Sequence, residues 1–398
     1  MPETDALLAV RLGPGQEDRL RAGHLWVFSN EIARIDGAAG PGSVAQVFTA
    51  GGESLGVGFY NPNSLIACRM LSPRVEPVDA AFFRKRLAAA LAYRQRACPG
   101  ETSYRLCFGE SDGLPGLVAD RYGDHLVLQV FAAGMEARLP LIEAALQDIL
   151  HPRGVFLKND HRLRRLEGLP GECRPLCGSV PERVPICEGG LRFWAPIGAG
   201  QKTGHYFDQR DNRSYLRPFF AGRTVLDLYC YTGAFAVNAA KSGAKAVLAV
   251  DSSGPAVQLA RENAGLNGVS EQVNCDEADA EAVLRSFSAG RQPFRPDMIL
   301  LDPPSLVPSK KHLAKALRTY ARLNSLALKA LPAGGLLATS TCSHHVGREE
   351  FLGMLRFAQA KARISARLVA LRGQAADHPV LLAMPETEYL RFALLEVV

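Results

Sequence analysis

The stretch VLDLYCYTGAF, Val225 to Phe235, decides how the second half of this 398-residue chain folds. Thr224–Leu228 reads as a strand with Asp227 at its end. The turn that follows carries Gly233, and an Ala-rich helix comes next. Strand, turn and helix in that order make a nucleotide-type binding turn. Only one glycine stands in the turn, so it is not the G-x-G-x-x-G fingerprint that lets a dinucleotide pyrophosphate pass.

Outward from that turn the pattern alternates. Ala246–Val250, Met298–Leu301, Leu336–Ser340 and Arg391–Val397 read as further strands. Helices fit between them, over Gly254–Asn267 and Leu313–Leu331. Such alternation predicts an α/β fold with a mostly parallel sheet covered on both faces. Ligands in these sheets bind at the carboxyl ends of the strands. The second strand ends in Asp251, where an acid can accept hydrogen bonds from ribose hydroxyls. The plainer alternative is that Asp227 and Asp251 only cap helices.

Two more strand ends carry chemistry. MILLDPPSL, Met298 to Leu306, brings four apolar residues through the sheet to Asp302, and Pro303 and Pro304 force a rigid, extended exit. The next strand runs into STCSHH, Ser340 to His345. With a strand order of 3-2-1-4-5, these two strands lie about 4.8 Å apart. Asp302 and Cys342 then project from adjacent tips, a thiol and a carboxylate beside a nucleotide-like ligand. A zinc reading of Cys342, His344 and His345 fails on spacing, because three ligands within four residues cannot converge without a doubled-back loop. Cys173, Cys177 and Cys187 are a poor zinc pattern too, so no metal is expected. The two histidines line the substrate mouth, contact phosphate, or are loop surface.

The first 75 residues read as short β segments broken by Gly and Pro: Ala9–Leu12, Val44–Thr49, Ser54–Gly58 and Leu65–Leu71. That pattern predicts a small β-barrel. A helix over Ala80–Ala97, strands at Gly116–Asp120 and His125–Phe131, a helix near Arg138–Leu150 and a strand at Gly154–Lys158 make a small α+β unit. Gly168–Pro185, rich in Pro and Gly, reads as a linker.

Hydrophobic residues at 47% and charged residues at 22% are those of a soluble globular protein. No run approaches the ~20 apolar residues of a membrane span, and the N-terminus lacks the pattern of a secretory signal. Nine cysteines, an odd count at irregular spacing, fit free thiols in a reducing cytoplasm. The net charge is +6: the first 75 residues carry 6 Lys+Arg against 7 Asp+Glu, whereas residues 186–398 carry 25 against 19. Lys310, Lys311, Lys315, Arg318 and Arg322 follow the double proline with no acid among them. They are either a track for a polyanion or a solvated helix face.

Taken together, Asp227 with Gly233, Asp251, the D-P-P of Asp302–Pro304 and the T-C-S of Thr341–Ser343 resemble a class I S-adenosylmethionine-dependent methyltransferase. GAGQKTGHYFDQRDNR (Gly198–Arg213), Gly113–Asp120 and GQAADHPV (Gly373–Val380) sharpen this. With them the chain resembles, over essentially its whole length, the bacterial large-subunit (23S) rRNA cytosine-5 methyltransferases that carry an N-terminal PUA domain. The resemblance implies a PUA-like RNA-binding barrel over 1–75, an α+β middle domain over 76–187 and a Rossmann-like methyltransferase domain over 188–398. It implies S-adenosylmethionine as cofactor and ribosomal RNA as partner, in the cytoplasm and without a membrane. Oligomeric state is not set, and a homodimer is compatible with the sequence.

Carbon 5 of cytosine is a poor nucleophile, and a thiolate adding to carbon 6 activates it. The chemistry therefore assigns Cys342 as nucleophile and Asp302 to the cytosine edge, where a protonated carboxyl would donate a hydrogen bond. The resemblance carries over Lys202, Thr203, Gly204 and Arg210 to the cofactor. It puts Asp227 and Gly233 under its methionine part, Asp251 at the ribose, and Asp279 (with Asp276 as competitor) near the adenine, with Tyr229 a further cofactor contact. Asp302 borders the cofactor as well. Pro303, Pro304, Lys310 and Lys311 are the candidate substrate contacts. The chain departs from the common turn in having Tyr229-Cys230-Tyr231 where glycines are usual. Cys230 sits in the cofactor turn, facing the cofactor rather than the base, and Cys275 is packing. Ser305 stands where many RNA cytosine-5 methyltransferases have a second cysteine. Alternatives are methylation of guanine N7 or an amino nitrogen, which need no thiol, a small-molecule methyltransferase, and a non-catalytic RNA-binding module.

Overall fold

The apolar runs of the second half become one seven-stranded sheet: β1 (Thr224–Leu228), β2 (Ala246–Asp251), β3 (Val273–Glu277), β4 (Met298–Leu301), β5 (Leu336–Thr341), β6 (Ala366–Arg372) and β7 (Arg391–Val397). The structure, a computed structural model, describes residues 8–38, 40–291, 293–307 and 309–398, with the side chain of Lys310 outside the described set. The strand order is β3-β2-β1-β4-β5-β7-β6. β1 to β5 pair in parallel, and the central strand β4 is apolar and buried throughout, as a strand covered on both faces should be. β7 inserts antiparallel between β5 and β6. The Rossmann-like expectation holds, 3-2-1-4-5 order included.

All four residues of β4 are buried. Helix Leu313–Ala330 turns Ala316, Tyr320, Leu323, Ala327 and Leu328 onto the sheet and leaves Lys311, Lys315 and Arg318 exposed around it. Ser253 and Asp279 cap the N-termini of Gly254–Leu266 and Ala280–Ser288, accepting from the amides of Ala256 and Ala282.

The chain divides into two compact units. This sheet belongs to the second, which takes Cys187–Trp194, Asp208–Ala375 and Glu388–Val398. The first reaches to Ile186 and also takes Ala195–Phe207 and Ala376–Thr387. It contains a six-stranded sheet made of Leu8–Leu12, Trp26–Val27, Ile32–Asp36, Ser43–Phe48, Ser54–Tyr60 and Cys68–Ser72. Its second sheet has five strands, with Glu172–Gly178 at one edge and Ser103–Phe108 at the other. Helices Ala80–Ala97 and Leu139–Leu150 cover that sheet, burying Phe83, Leu87, Ile142 and Leu146 among its strands.

One expectation needs correction. Gly168–Pro185 is not a linker, because Glu172–Gly178 is a strand paired antiparallel with Gly154–Asn159. Pro175 sits opposite Phe156, where the register shifts, and at a sheet edge proline breaks no ladder on its outer side. Such a strand keeps the Pro and Gly content that reads as a loop.

Glu167 joins the parts of the first unit. Its carboxylate accepts from Asn61 (2.8 Å), Ser64 (2.6 Å), Arg69 (3.0 Å) and the amide of Ala133 (3.3 Å). Burial by itself would raise its pKa, but Arg69 and the Ser64 and Asn61 donors bring it below the ordinary value.

Candidate active site

The β1 end begins the site. Asp227 is 1% exposed, and its Oδ2 has no hydrogen-bond partner within the protein. Burial pushes its carboxyl well above the usual range, and Asp302 nearby adds to that. Two residues on, the backbone takes three left-handed conformations in five positions: Tyr229 (φ 62°), Tyr231 (φ 49°) and Gly233 (φ 79°). For a side-chain-bearing residue this costs of order 1–3 kcal/mol, and such strain clusters at ligand sites. Gly233 is needed twice over, since a Cβ there would stand 3.0 Å from the Cβ of Ala260 on the facing helix. The departure from glycine at Tyr229 and Tyr231 is thus real strain rather than a different turn.

Asp251, at the end of β2, accepts from the amide of Tyr231 on Oδ2 and from that of Ser253 on Oδ1, both at 2.9 Å. It ties the strained turn to the next strand, and Ser253 does the helix capping. Asp279 does cap a helix, so the plainer reading is true of that residue; its exposed carboxylate lies beside Tyr229. The phenol of Tyr229 is pushed up to about 12, by burial first and Asp279 next. Asp276 is exposed on β3. An orphaned buried carboxylate oxygen above a strained turn fits a bound ligand that supplies the missing partner.

That geometry gives a prediction. A carboxyl whose folded pKa lies above the 3.8 of the unfolded chain contributes its stability below that value and loses it as pH rises through the folded pKa. Asp227→Asn removes the loss. The ligand-free variant should melt higher than the parent near pH 8 and show no gain near pH 4. Its affinity for S-adenosylmethionine should fall about tenfold or more. Melting curves at both pH values and calorimetric titration test this; an unchanged affinity contradicts it.

At the β4 and β5 tips, Leu301 stands opposite Thr339, which sets Asp302 beside Ser340. Ser340 donates from Oγ to Asp302 Oδ1 and accepts from Gln209 Nε2 at 3.3 Å. Gln209 Oε1 in turn accepts from Asn212 (2.8 Å), whose Oδ1 accepts from Arg372 (3.1 Å). A relay of polar groups therefore orients Asp302. Cys342 is half-buried in the turn just beyond β5. The sequence put thiol and carboxylate at neighbouring tips, and they are there, with Ser340 as the residue directly facing Asp302.

The two tips are also fastened to each other. Tyr320, 1% exposed, receives the amide of Leu306 at 3.0 Å and donates to the carbonyl of Pro304 at 3.2 Å. Its hydroxyl lies 3.0 Å from Ser343 Oγ, which lies 3.0 Å from Ser305 Oγ. Pro303 is buried and Pro304 exposed. Ser340, Gln209 and Tyr320 went unassigned in the sequence. The first two stand inside quoted motifs, but Tyr320 sits in a helix with nothing to mark it.

Arg210 is buried, 3.8 Å from Glu188, a carboxylate held bidentate by Arg213 at 2.6 Å. His344 is exposed with its ring 5.2 Å from that of Tyr389. Cys230 and Cys275 are buried, and burial raises both thiols, Cys275 to about 11. Neither suits a thiolate role. Lys311 is exposed, and the side chain of Lys310 lies outside the described residues.

Lys202, Thr203 and Gly204 belong to the first unit. Thr203 is fully buried and hydrogen-bonded to Asp120 (2.5 Å) and Tyr122 (2.9 Å). Asp120 is gripped by Arg105 at 2.6 and 2.9 Å. The amide of Arg105 donates to Asp377 at 2.9 Å. The buried ammonium of Lys158 donates to the carbonyls of Ile197 (2.9 Å), Gly198 (2.9 Å) and Gly200 (2.5 Å). Gly204 (φ 128°) lies so near Pro196 that a Cβ would stand 2.9 Å from its carbonyl oxygen. The Gly113–Asp120, Gly198–Arg213 and Gly373–Val380 motifs thus meet in one buried network, which holds the Ile197–Gly204 loop.

Comparison with known proteins gives the family. A PUA-like domain matches residues 10–73, and an S-adenosylmethionine-dependent methyltransferase matches residues 144–361. The chain is 37% identical to the ribosomal RNA large subunit methyltransferase I of Klebsiella pneumoniae (strain 342), over 98% of each chain. Its fold is similar to that of a Streptococcus mutans chain described as a SAM-dependent methyltransferase, at TM-score 0.84 and 22% identity over 98% of this chain and 100% of that one. It is also similar to a methyltransferase solved in complex with SAH, at TM-score 0.85, 22% identity and the same coverage.

Proposed function

Since this chain belongs to the S-adenosylmethionine-dependent methyltransferases, in the family of the ribosomal RNA large subunit methyltransferases I, we propose that it methylates carbon 5 of a cytosine in large-subunit (23S) ribosomal RNA through a covalent cysteine adduct. The observation that supports it best is the meeting of Asp302 and the Cys342 turn at neighbouring strand tips, beside the Asp227 turn. An N7 or amino-nitrogen methyltransferase has no use for a thiol at that place, and neither has a non-catalytic RNA-binding module.

When bound, S-adenosylmethionine supplies a methyl group made electrophilic by its positive sulfur. Arg210, Asp227, Tyr229, Gly233, Asp251 and Asp279 of the second unit are the residues proposed to hold it, with Asp302 at its border. The resemblance adds Lys202, Thr203 and Gly204. The ionised thiol of Cys342 adds to carbon 6 of the cytosine, and the electron pair of the 5,6 double bond moves onto carbon 5, shared with carbon 4 and N3, making carbon 5 nucleophilic. Asp302 faces the N3 and amino edge, held there by Ser340. After carbon 5 takes the methyl group, its proton leaves to a base. The freed pair restores the 5,6 double bond, and the sulfur departs as thiolate.

The base must be unstacked or single-stranded to reach such a centre. Pro303 and Pro304 shape the approach, and Lys310, Lys311, Lys315 and Arg318 are proposed to track the RNA backbone. No helix among the described residues is long and apolar enough to cross a membrane, and the proposed place of work is the cytoplasm.

The test is incubation with methyl-labelled S-adenosylmethionine and undermodified large-subunit rRNA, followed by nucleoside analysis. Label is expected in 5-methylcytidine. Label in 7-methylguanosine or in an N-methylated base refutes the assignment.

A further inference from the structure

The two loops that carry Asp302 and Cys342 leave different strands, and among the described residues no backbone–backbone hydrogen bond joins one loop to the other. β4 ends at Leu301 and β5 at Thr341, so both reactive side chains stand past the last ladder bonds. Tyr320 supplies what the sheet does not. It lies on the helix that follows the double-proline loop, and its hydroxyl reaches back to Pro304 and Leu306 on one loop and Ser343 on the other. A phenol oxygen can accept two hydrogen bonds and donate one. The donors and acceptors around it fill that capacity. Ser343 repeats the link through Ser305. Burial raises the phenol above its ordinary value, so it keeps its proton, and Cys342 is among the groups whose charge it senses.

We propose that Tyr320 is a positioning residue of the reaction: with Ser343, its hydroxyl clamps the Asp302–Leu306 loop to the Thr341–Ser343 turn and so fixes the separation of carboxylate and thiol. The proposal rests on the cytosine-5 reading for what that separation serves, but the clamp itself is a matter of geometry. It touches no reacting atom. Its effect is on the chemical step, which is steep in distance, and not on cofactor affinity.

Two variants of the full chain test it. Tyr320→Phe keeps the ring in its packing and removes only the hydroxyl; Ser343→Ala cuts the same clamp from the other loop. Each should lower kcat on undermodified rRNA by about 10- to 100-fold while KM for S-adenosylmethionine stays within about twofold. The double variant should fall little further than the worse single one, because both remove one unit. Independently of RNA, the pH profile of iodoacetamide alkylation at Cys342, read by peptide mass spectrometry, should move in both. Should Tyr320→Phe fold poorly, Ser343→Ala carries the same readouts. Turnover within about threefold of the parent in both variants, or an alkylation profile that stays put, overturns the clamp. If the parent enzyme makes no 5-methylcytidine yet the profile moves, the cytosine reading has failed and the clamp stands.

Discussion

In Cys342→Ala, methyl transfer to large-subunit rRNA is expected to fall by roughly 10³-fold or more, with S-adenosylmethionine affinity unchanged within about threefold. In the proposed reaction the thiol does the step that cytosine cannot do unaided, and Cys230 and Cys275 cannot take over, being buried with raised thiol pKa values. RNA carrying 5-fluorocytosine at the target gives a second readout. Fluorine cannot leave as a proton does, so the parent enzyme should accumulate a covalent complex stable in denaturing gels. The alanine variant should give none. Undiminished label at cytosine carbon 5 in Cys342→Ala would remove the thiol from the mechanism.

The second large effect concerns Asp302. Asp302→Asn keeps the size and the contact with Ser340 but loses the capacity to exchange a proton with the ring edge. A fall in kcat of about 10²- to 10⁴-fold is expected, the range of a positioned acid or base. Because Asp302 also opposes the ionisation of Asp227, the variant should ease Asp227 toward its charged form. Binding of S-adenosylmethionine at neutral pH should therefore survive the change. A kcat within threefold of the parent would confine Asp302 to architecture.

The parallel part of the fold was legible because a strand buried on both faces must be apolar throughout. Val247–Val250 and Met298–Leu301 leave little else to be, and the acids that follow, Asp251 and Asp302, mark their carboxyl ends. Edge strands carry no such demand. Glu172–Gly178, mostly exposed, reads as a linker, and Ala366–Arg372, with Leu368 and Val369 exposed, shows no clear alternation. The site divides the same way. Cys342 and Asp302 announce themselves by chemistry at strand ends. Thr203 was marked by its motif, yet only the fold shows its hydroxyl spent on Asp120 and Tyr122. Gln209 and Tyr320 act through hydrogen bonds to residues 131 and 23 positions on, and such pairings exist only once the sheet has brought them together.

The insertion of β7 between β5 and β6 sets a timetable for synthesis. As the chain emerges, β1 to β5 can assemble in turn, but β6 arrives next and is not the neighbour of β5. The strand that leads into the thiol turn keeps a bare edge until Arg391–Val397 has been made. An unpaired edge of that kind invites pairing with other chains. A ribosome that stalls between residues 342 and 391 would thus release a protein with both proposed catalytic side chains, Asp302 and Cys342, present and the strand before the thiol turn unsupported.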